Sequence, residues 1–207
     1  MKKMKILVMA AHTDDGELGC GGTIAKSIAK GDRVFYVAFS AEDKNITDRH
    51  ILKNELVTAI DVLGIQKNNI RVFDIPVREF PSCRQKILEK MIELKQEIDP
   101  DIVFLPSSSD CHQDHQVVCQ EGFRAFKNIT IFGYEVPWNN LSFTCNLFVV
   151  ISEENLNKKM VALSKYKSQL YRQPELSEYI HHLAYVRGGQ IKQKYAEAFE
   201  AIRIIIK

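Results

Sequence analysis

Short β-branched or apolar runs alternate along this chain with longer amphipathic segments, and that alternation constrains the fold more than any other feature. Residues 5–10, 33–39, 70–73, 101–105, 130–134 and 147–151 read as strands. Helical patterns at 22–30, 48–63 and 84–98 lie between the first four of them. In the second pattern Ile51, Leu52, Glu55, Leu56, Ala59, Ile60 and Leu63 keep helical spacing, and Gly64 follows as a stop. Such repetition predicts βαβ units and an α/β architecture, a mainly parallel sheet covered by helices. The C-terminal third reads as helix, with 200–207 as a candidate last strand.

A chain of 207 residues suits one domain spanning 1–207 and leaves little room for a second. A net charge of +2 is too weak to argue for nucleic acid or an anionic membrane surface. The five cysteines are odd in number and form no CxxC pair, so neither a disulfide framework nor a four-cysteine zinc site is expected. Free, mostly buried thiols in a reducing compartment are the simpler reading. The start, "MKKMKILVMAA", has the look of a signal peptide, but its apolar run of about seven residues is at the short limit. His12, Asp14, Asp15 and Glu17 follow at once, so "LGC" at 18–20 lacks the apolar segment a lipoprotein cleavage site needs. A cytoplasmic protein is expected, without membrane insertion, since no stretch approaches the roughly 20 apolar residues of a spanning helix.

In open parallel sheets, ligands bind beyond the carboxyl ends of the strands, where the strand order reverses. "AHTDD" closes the first apolar run and "SSSDCHQDHQ", 107–116, follows the fourth. With right-handed crossovers and the order 3-2-1-4, these two strands are neighbours at that crevice, and the clusters open into one pocket. The pooled inventory is His12, Asp14, Asp15, Asp110, His112, Asp114 and His115. Two imidazoles and one carboxylate are a normal ligand set for catalytic zinc, with a fourth position left for water. A spare carboxylate can take that water's proton, and a spare histidine can stabilise an oxyanion or protonate a leaving group. Composition alone does not say which residue does which. Gly19, Gly21 and Gly22 do not fit GxGxxG, so no nucleotide cofactor is implied; they read as allowing a tight turn and a helix start beside the metal.

"AHTDDGELGCGGTIAK" resembles the AHPDDxELGCGGTIAK signature of the PIG-L/LmbE-like family of zinc-dependent de-N-acetylases, and "HQDH" matches its HxDH motif. Further echoes are "NELVTAIDVLGI", "YKSQ" at 166–169 and "VRGGQIKQKYAEAF" at 186–199. The resemblance implies a Rossmann-like three-layer fold with helices on both faces. It also implies one Zn2+ per chain, held by His12, Asp15 and His115. On the same basis Asp14 is the general base, a protonated His112 stabilises the tetrahedral intermediate, and Asp114 orients His112. Thr13 replaces the usual proline, and Gly16 stands where Glu is common.

Substrate contacts are less defined. Arg49 lies where the family has a substrate-reaching arginine, although "RHILKNE" departs from the commoner R-x-x-E. Tyr134, Glu135 and Trp138 in "GYEVPW" suit a sugar pocket or a core and turn equally, and Arg187 suits a rim or an ion pair. The expected activity is zinc-dependent removal of acetyl from a small-molecule N-acetylated sugar, such as an N-acetylglucosaminyl derivative, releasing acetate. A metal-dependent amidase acting on a larger sugar-thiol conjugate and a catalytically silent sugar-binding protein are the alternatives. Family members often form symmetric hexamers or dimers, so homo-oligomerisation is part of the expectation.

Overall fold

The computed structural model describes residues 3–42, 49–169 and 174–206. Its strands are β1 (Lys5–Ala10), β2 (Arg33–Ala38), β3 (Ile70–Val72), β4 (Ile102–Pro106), β5 (Thr130–Tyr134), β6 (Leu147–Val150) and β7 (Ala196–Arg203). The helices are α1 (Asp15–Ala29), α2 (Arg49–Leu63), α3 (Arg84–Ile98), α4 (Gln113–Ala125), α5 (Glu153–Leu163) and α6 (Leu176–Gly189). One sheet of order β3-β2-β1-β4-β5-β7-β6 carries all seven strands. The first five are parallel, and β7 runs antiparallel between β5 and β6.

The period of two along each strand sorts the core into two layers. Leu7 and Met9 of β1 and Val37 of β2 pack with Ile87, Met91, Val117 and Val118 of α3 and α4. Ile6, Val8 and Ala10 face the other way, toward Ile24 of α1, Leu56 and Ile60 of α2 and Ala162 of α5. A central strand buried on both faces has no room for polar alternation, which is why "KILVMA" is continuously apolar.

The last strand begins upstream of the predicted 200–207 and overlaps it as far as Arg203. Phe199, fully buried, pairs with Tyr134 on one side and Leu147 on the other, and this fixes β7 four residues earlier. The helix predicted from residue 22 begins at Asp15 but breaks at Cys20 (φ −143°, ψ 22°). The Glu197 carboxylate of β7 accepts from the backbone N–H groups of Gly22 (2.9 Å) and Thr23 (2.6 Å) and so caps the second piece. Lys159 of α5 neutralises that carboxylate at 2.7 Å, inside the protein. The 22–30 pattern therefore captured only the second piece. The glycines here serve close packing rather than a turn: a Cβ on Gly19 would lie 2.3 Å from Tyr134 Cδ2, and the positive-φ glycines of the described residues are Gly31 and Gly64. The cysteines are free, but only Cys20 and Cys119 are buried; Cys83 and Cys145 are half-buried and Cys111 is exposed. Among the described residues, no helix is long and apolar enough to cross a membrane.

Candidate active site

β1 and β4 are the central neighbours at which the chain reverses direction across the sheet, and the segment after each ends at a helix N-terminus. After β1 the chain turns through His12 and Thr13, and Asp14 caps α1, whose first residue is Asp15. After β4, His112 caps α4, with Asp114 and His115 in its first turn. The two turns meet in a cleft of about 250 Å³ lined by His12, Asp14, Asp15, His112, His115 and Trp138, among others.

Three atoms at its floor form a nearly equilateral triangle. His12 Nδ1 and His115 Nε2 are 3.3 Å apart, and Asp15 Oδ2 lies 3.4 Å from the first and 3.2 Å from the second. Tetrahedral ligation at 2.0–2.1 Å requires ligand atoms about 3.3–3.4 Å apart, so this donor set fits zinc in both chemistry and spacing. A wider group that can hold a metal is His12, His112 and His115, whose ligand atoms lie within 4.8 Å of one another.

The far nitrogen of each imidazole in the triangle meets a buried carboxylate. Asp114 Oδ2 accepts from His12 Nε2 at 3.0 Å, and Asp110 Oδ2 accepts from His115 Nδ1 at 2.7 Å. A proton held on each far nitrogen leaves the near lone pairs facing Asp15, the second-shell arrangement of metal-ligating histidines. Burial opposes charging His12 and His115, but the Asp15 carboxylate overcomes it and raises them to about 9 and about 10. Burial likewise disfavours ionised Asp15, yet His115 and His12 hold its pKa well below the usual carboxylate range. Asp14, half-buried, is pushed up to about 6 by burial and by its neighbour Asp15, close to what a base working near neutrality needs.

Asp114 therefore orients His12, and the expectation that it orients His112 is corrected. Its Oδ2 also accepts the Arg78 backbone N–H at 2.7 Å, which helps hold Arg78 at a left-handed φ of 68°. Asp114 Oδ1 is buried and has no hydrogen-bond partner among the described residues. His112 is set by its own helix: its Nδ1 accepts the Asp114 backbone N–H at 3.1 Å, and Asp110 Oδ1 takes the His112 backbone N–H at 2.8 Å. A neutral His112 thus carries its proton on Nε2. Burial, together with His115 and His12, lowers its pKa.

The predicted substrate contacts divide. Trp138 lines the cleft and is 47% exposed. Tyr134 does not reach it: the ring is fully buried beneath Gly19 and its hydroxyl donates to the Met9 carbonyl at 3.0 Å. Arg187 is engaged by Glu135 through Nε (3.1 Å) and Nη2 (2.5 Å) and is not among the lining residues. The Arg49 side chain lies outside the described residues. Glu55 accepts from the Ser168 backbone N–H at 2.9 Å and its hydroxyl at 2.6 Å, tying α2 to the "YKSQ" segment.

Glu17 is a supporting residue to which sequence reasoning gave no role. Fully buried, it contacts the hydroxyls of Tyr36 and Tyr166, and both hydroxyls also contact the Thr13 carbonyl, at 2.9 and 2.8 Å. Four oxygen–oxygen contacts share two phenolic hydrogens, and a proton on Glu17 supplies a third. Burial pushes Glu17 up to about 8. An acid between Gly16 and Leu18 in an otherwise small and apolar stretch was its sequence signal. The unfolded chain releases this proton near the ordinary value of 4.5 and the folded one keeps it to about 8, so stability falls as pH rises through that window. Glu17→Gln, whose amide stays neutral, is expected to abolish that part of the slope in urea titrations of zinc-loaded protein. Parallel wild-type and variant profiles would show Glu17 ionised in the fold.

A mainly parallel sheet with an imidazole–carboxylate cluster at its reversal point defines a class of α/β proteins with a site that could hold a metal at the carboxyl edge. Within that class the chain belongs to the PIG-L family, whose pattern, described as GlcNAc-PI de-N-acetylase, matches residues 7–126. It is similar to the uncharacterized deacetylase YaiS of Escherichia coli K12, with 32% identity over 176 residues, 81% of this chain and 92% of that one. It also resembles the diacetylchitobiose deacetylase of Thermococcus kodakarensis, with 27% identity over 62% of this chain but only 50% of that protein. The fold is shared with a 4-carboxy-2-hydroxymuconate hydratase, GalB of Pseudomonas putida KT2440, at a TM-score of 0.81 and 20% identity, covering 99% of this chain and 98% of that one. The shared architecture does not select a chemistry.

Proposed function

We propose that this protein is a zinc-dependent N-deacetylase acting on an N-acetylated amino sugar or sugar conjugate. The observation that carries the reading is the 3.2–3.4 Å triangle of His12, Asp15 and His115, with a carboxylate behind each imidazole. Family membership and the acetyl-sugar relative support the choice of substrate. His12 Nδ1, Asp15 Oδ2 and His115 Nε2 would hold the ion. A zinc ion there supplies polarisation of the acetyl carbonyl and a lowered pKa for water.

The remaining chemistry belongs to the chain. An Asp14 carboxylate oxygen takes a proton from the attacking water, and its pKa of about 6 leaves it ionised at neutral pH. As the acetyl carbon becomes tetrahedral, His112 Nε2–H donates to the developing oxyanion. Asp14 then passes its proton to the departing amine nitrogen, leaving acetate and a free amino sugar. This assigns His112 a neutral donor role, in place of an imidazolium, in keeping with its lowered pKa.

Protein purified without chelator is expected to carry about one zinc per chain, since the triangle makes one mononuclear site. Metal analysis finding none, with no activity gained on adding zinc, would overturn the reading. Acetate release from a panel of free, nucleotide-linked and lipid-linked N-acetyl sugars tests the substrate class. Preferential cleavage of bulkier amides would favour the amidase alternative, and sugar binding without turnover by zinc-loaded protein would favour the silent one.

A further inference from the structure

Ser107, Ser108 and Ser109 lead into Asp110 and His112, and the proposed chemistry gives their hydroxyls no role. Each hydroxyl is already engaged. Ser108 Oγ donates to the Glu200 carboxylate of β7 at 2.6 Å, and the Ser108 backbone N–H donates to it at 2.7 Å. Ser107 Oγ and Ser109 Oγ both accept from one side chain, the Nδ2 group of Asn140, at 2.8 and 3.1 Å. Asn140 Oδ1 in turn accepts the Val136 backbone N–H at 3.2 Å. Asn140 also forms an antiparallel bridge with Asp110, and the Cys111 backbone N–H donates to the Asn139 carbonyl at 2.9 Å. One amide thus uses both donors and its acceptor to join the turn after β4 to the turn after β5.

We propose that Asn140 is a positioning residue for the metal centre, holding Asp110 where it can orient His115. The proposal rests on the reading of His12, Asp15 and His115 as the metal ligands. Asp110 is buried; its Oδ2 accepts from His115 Nδ1 and its Oδ1 accepts the His112 backbone N–H. The segment between Pro106 and Gln113 belongs to neither β4 nor α4, so its course depends on ties of this kind. A carboxylate whose direction drifts loses its hydrogen bond to the imidazole, and the lone pair on the other ring nitrogen loses its aim at the ion. An amide suits the place: it offers two N–H donors and an acceptor, and adds no charge beside Asp110. The same side chain fixes the turn that carries Trp138, so the wall of the cleft and its metal floor are built as one unit.

Zinc-loaded wild type, Asn140→Ala and Ser107→Ala/Ser109→Ala are to be titrated with a competing chelator, with melting temperatures recorded alongside. Asn140→Ala is expected to bind zinc roughly tenfold more weakly, the low end of the effect of removing an outer-shell partner. The serine variant should weaken binding in the same direction. Adding the serine changes to Asn140→Ala should cost nothing further, because the contacts are then already lost. Co2+-loaded Asn140→Ala should show weaker visible bands than wild type, since loss of tetrahedral geometry lowers their intensity. Trp138, the only tryptophan of the chain, should change its emission in the same variant. A merely structural role predicts a lower melting temperature with zinc affinity and Co2+ spectrum unchanged, and that result would overturn the proposal. Additive losses in the triple variant, or a Trp138 spectrum identical to wild type, would overturn it too. Should Asn140→Ala fail to fold, the serine variant decides, and zinc affinity equal to wild type there refutes the role. Wild type that takes up neither ion refutes the metal-site reading itself, and this role with it.

Discussion

Asp14→Asn is expected to retain near-stoichiometric zinc and nearly normal substrate affinity while kcat falls by roughly 10²–10⁴, the usual worth of a general base. The neighbouring change, Asp15→Ala, should strip or greatly weaken the metal. The difference follows from where the two side chains go. Asp15 Oδ2 is 3.2–3.4 Å from both imidazole nitrogens and also accepts the His12 backbone N–H at 2.7 Å, so it is fixed to the floor of the cleft. Asp14 caps the helix without a side-chain hydrogen bond to its first turn and lines the cleft from the side. Removing Asp15 leaves two neutral imidazoles with no charge-balancing carboxylate, whereas an amide in place of the Asp14 carboxylate leaves the triangle whole. Its pKa of about 6 also makes Asp14 a candidate for the acidic limb of the pH–rate profile, since protonation there removes the base. That limb should change in the asparagine variant. Zinc content and kcat measured on both variants decide the matter, and zinc lost from the Asp14 variant but kept by the Asp15 variant would reverse the roles.

His112→Ala should keep its zinc and lose on the order of 10²–10³ in kcat, as when one oxyanion donor is removed. The experiment distinguishes two ways of reading the same histidines. His112 belongs to a group of three imidazoles able to hold a metal, but its Nδ1 is taken by the Asp114 backbone and no buried carboxylate fixes it from behind among the described residues. Each imidazole of the His12–Asp15–His115 triangle, by contrast, turns one nitrogen toward Asp15 and has a buried carboxylate behind the other. Zinc lost along with activity would make His112 a ligand. Asp114→Ala provides the contrast: because Asp114 holds His12, the expected loss is roughly 10–100-fold in metal affinity, the usual effect of removing an outer-shell partner, read by competition with a chelator.

The strand–helix alternation carried the architecture because buried parallel strands leave a plain apolar signature; the predicted spans 5–10, 84–98 and 130–134 coincide with β1, α3 and β5. What escaped depends on tertiary contacts. The 200–207 assignment followed the apolar letters "IIIK", whereas pairing of Phe199 between two neighbouring strands places β7 earlier. The break in α1 at Cys20 depends on Glu197, about 175 residues away, reaching two backbone N–H groups. At the site, the letters place His12, Asp14, Asp15, His112, Asp114 and His115 in one cleft region, because strand order alone makes the two turns neighbours. They do not show which imidazole a carboxylate supports, since that depends on how α4 is rotated. Hence Asp114 is found on His12 and Asp110 on His115. Tyr134 and Trp138 are four residues apart in one segment, yet the first packs under α1 and the second opens to solvent.

His12 and His115 are 103 residues apart, on turns that follow different strands. An ion shared by them is also a staple: it closes a loop of about half the chain, and a covalent cross-link over about 100 residues is worth about 4–5 kcal/mol in the chain-entropy picture. Metal occupancy and folding would then be linked quantities, so that loss of the ion would loosen the tie between the β1 and β4 turns as well as removing any activity that depends on it. The same linkage would make the supply of the ion a determinant of how much of this protein survives proteolysis of its unfolded form.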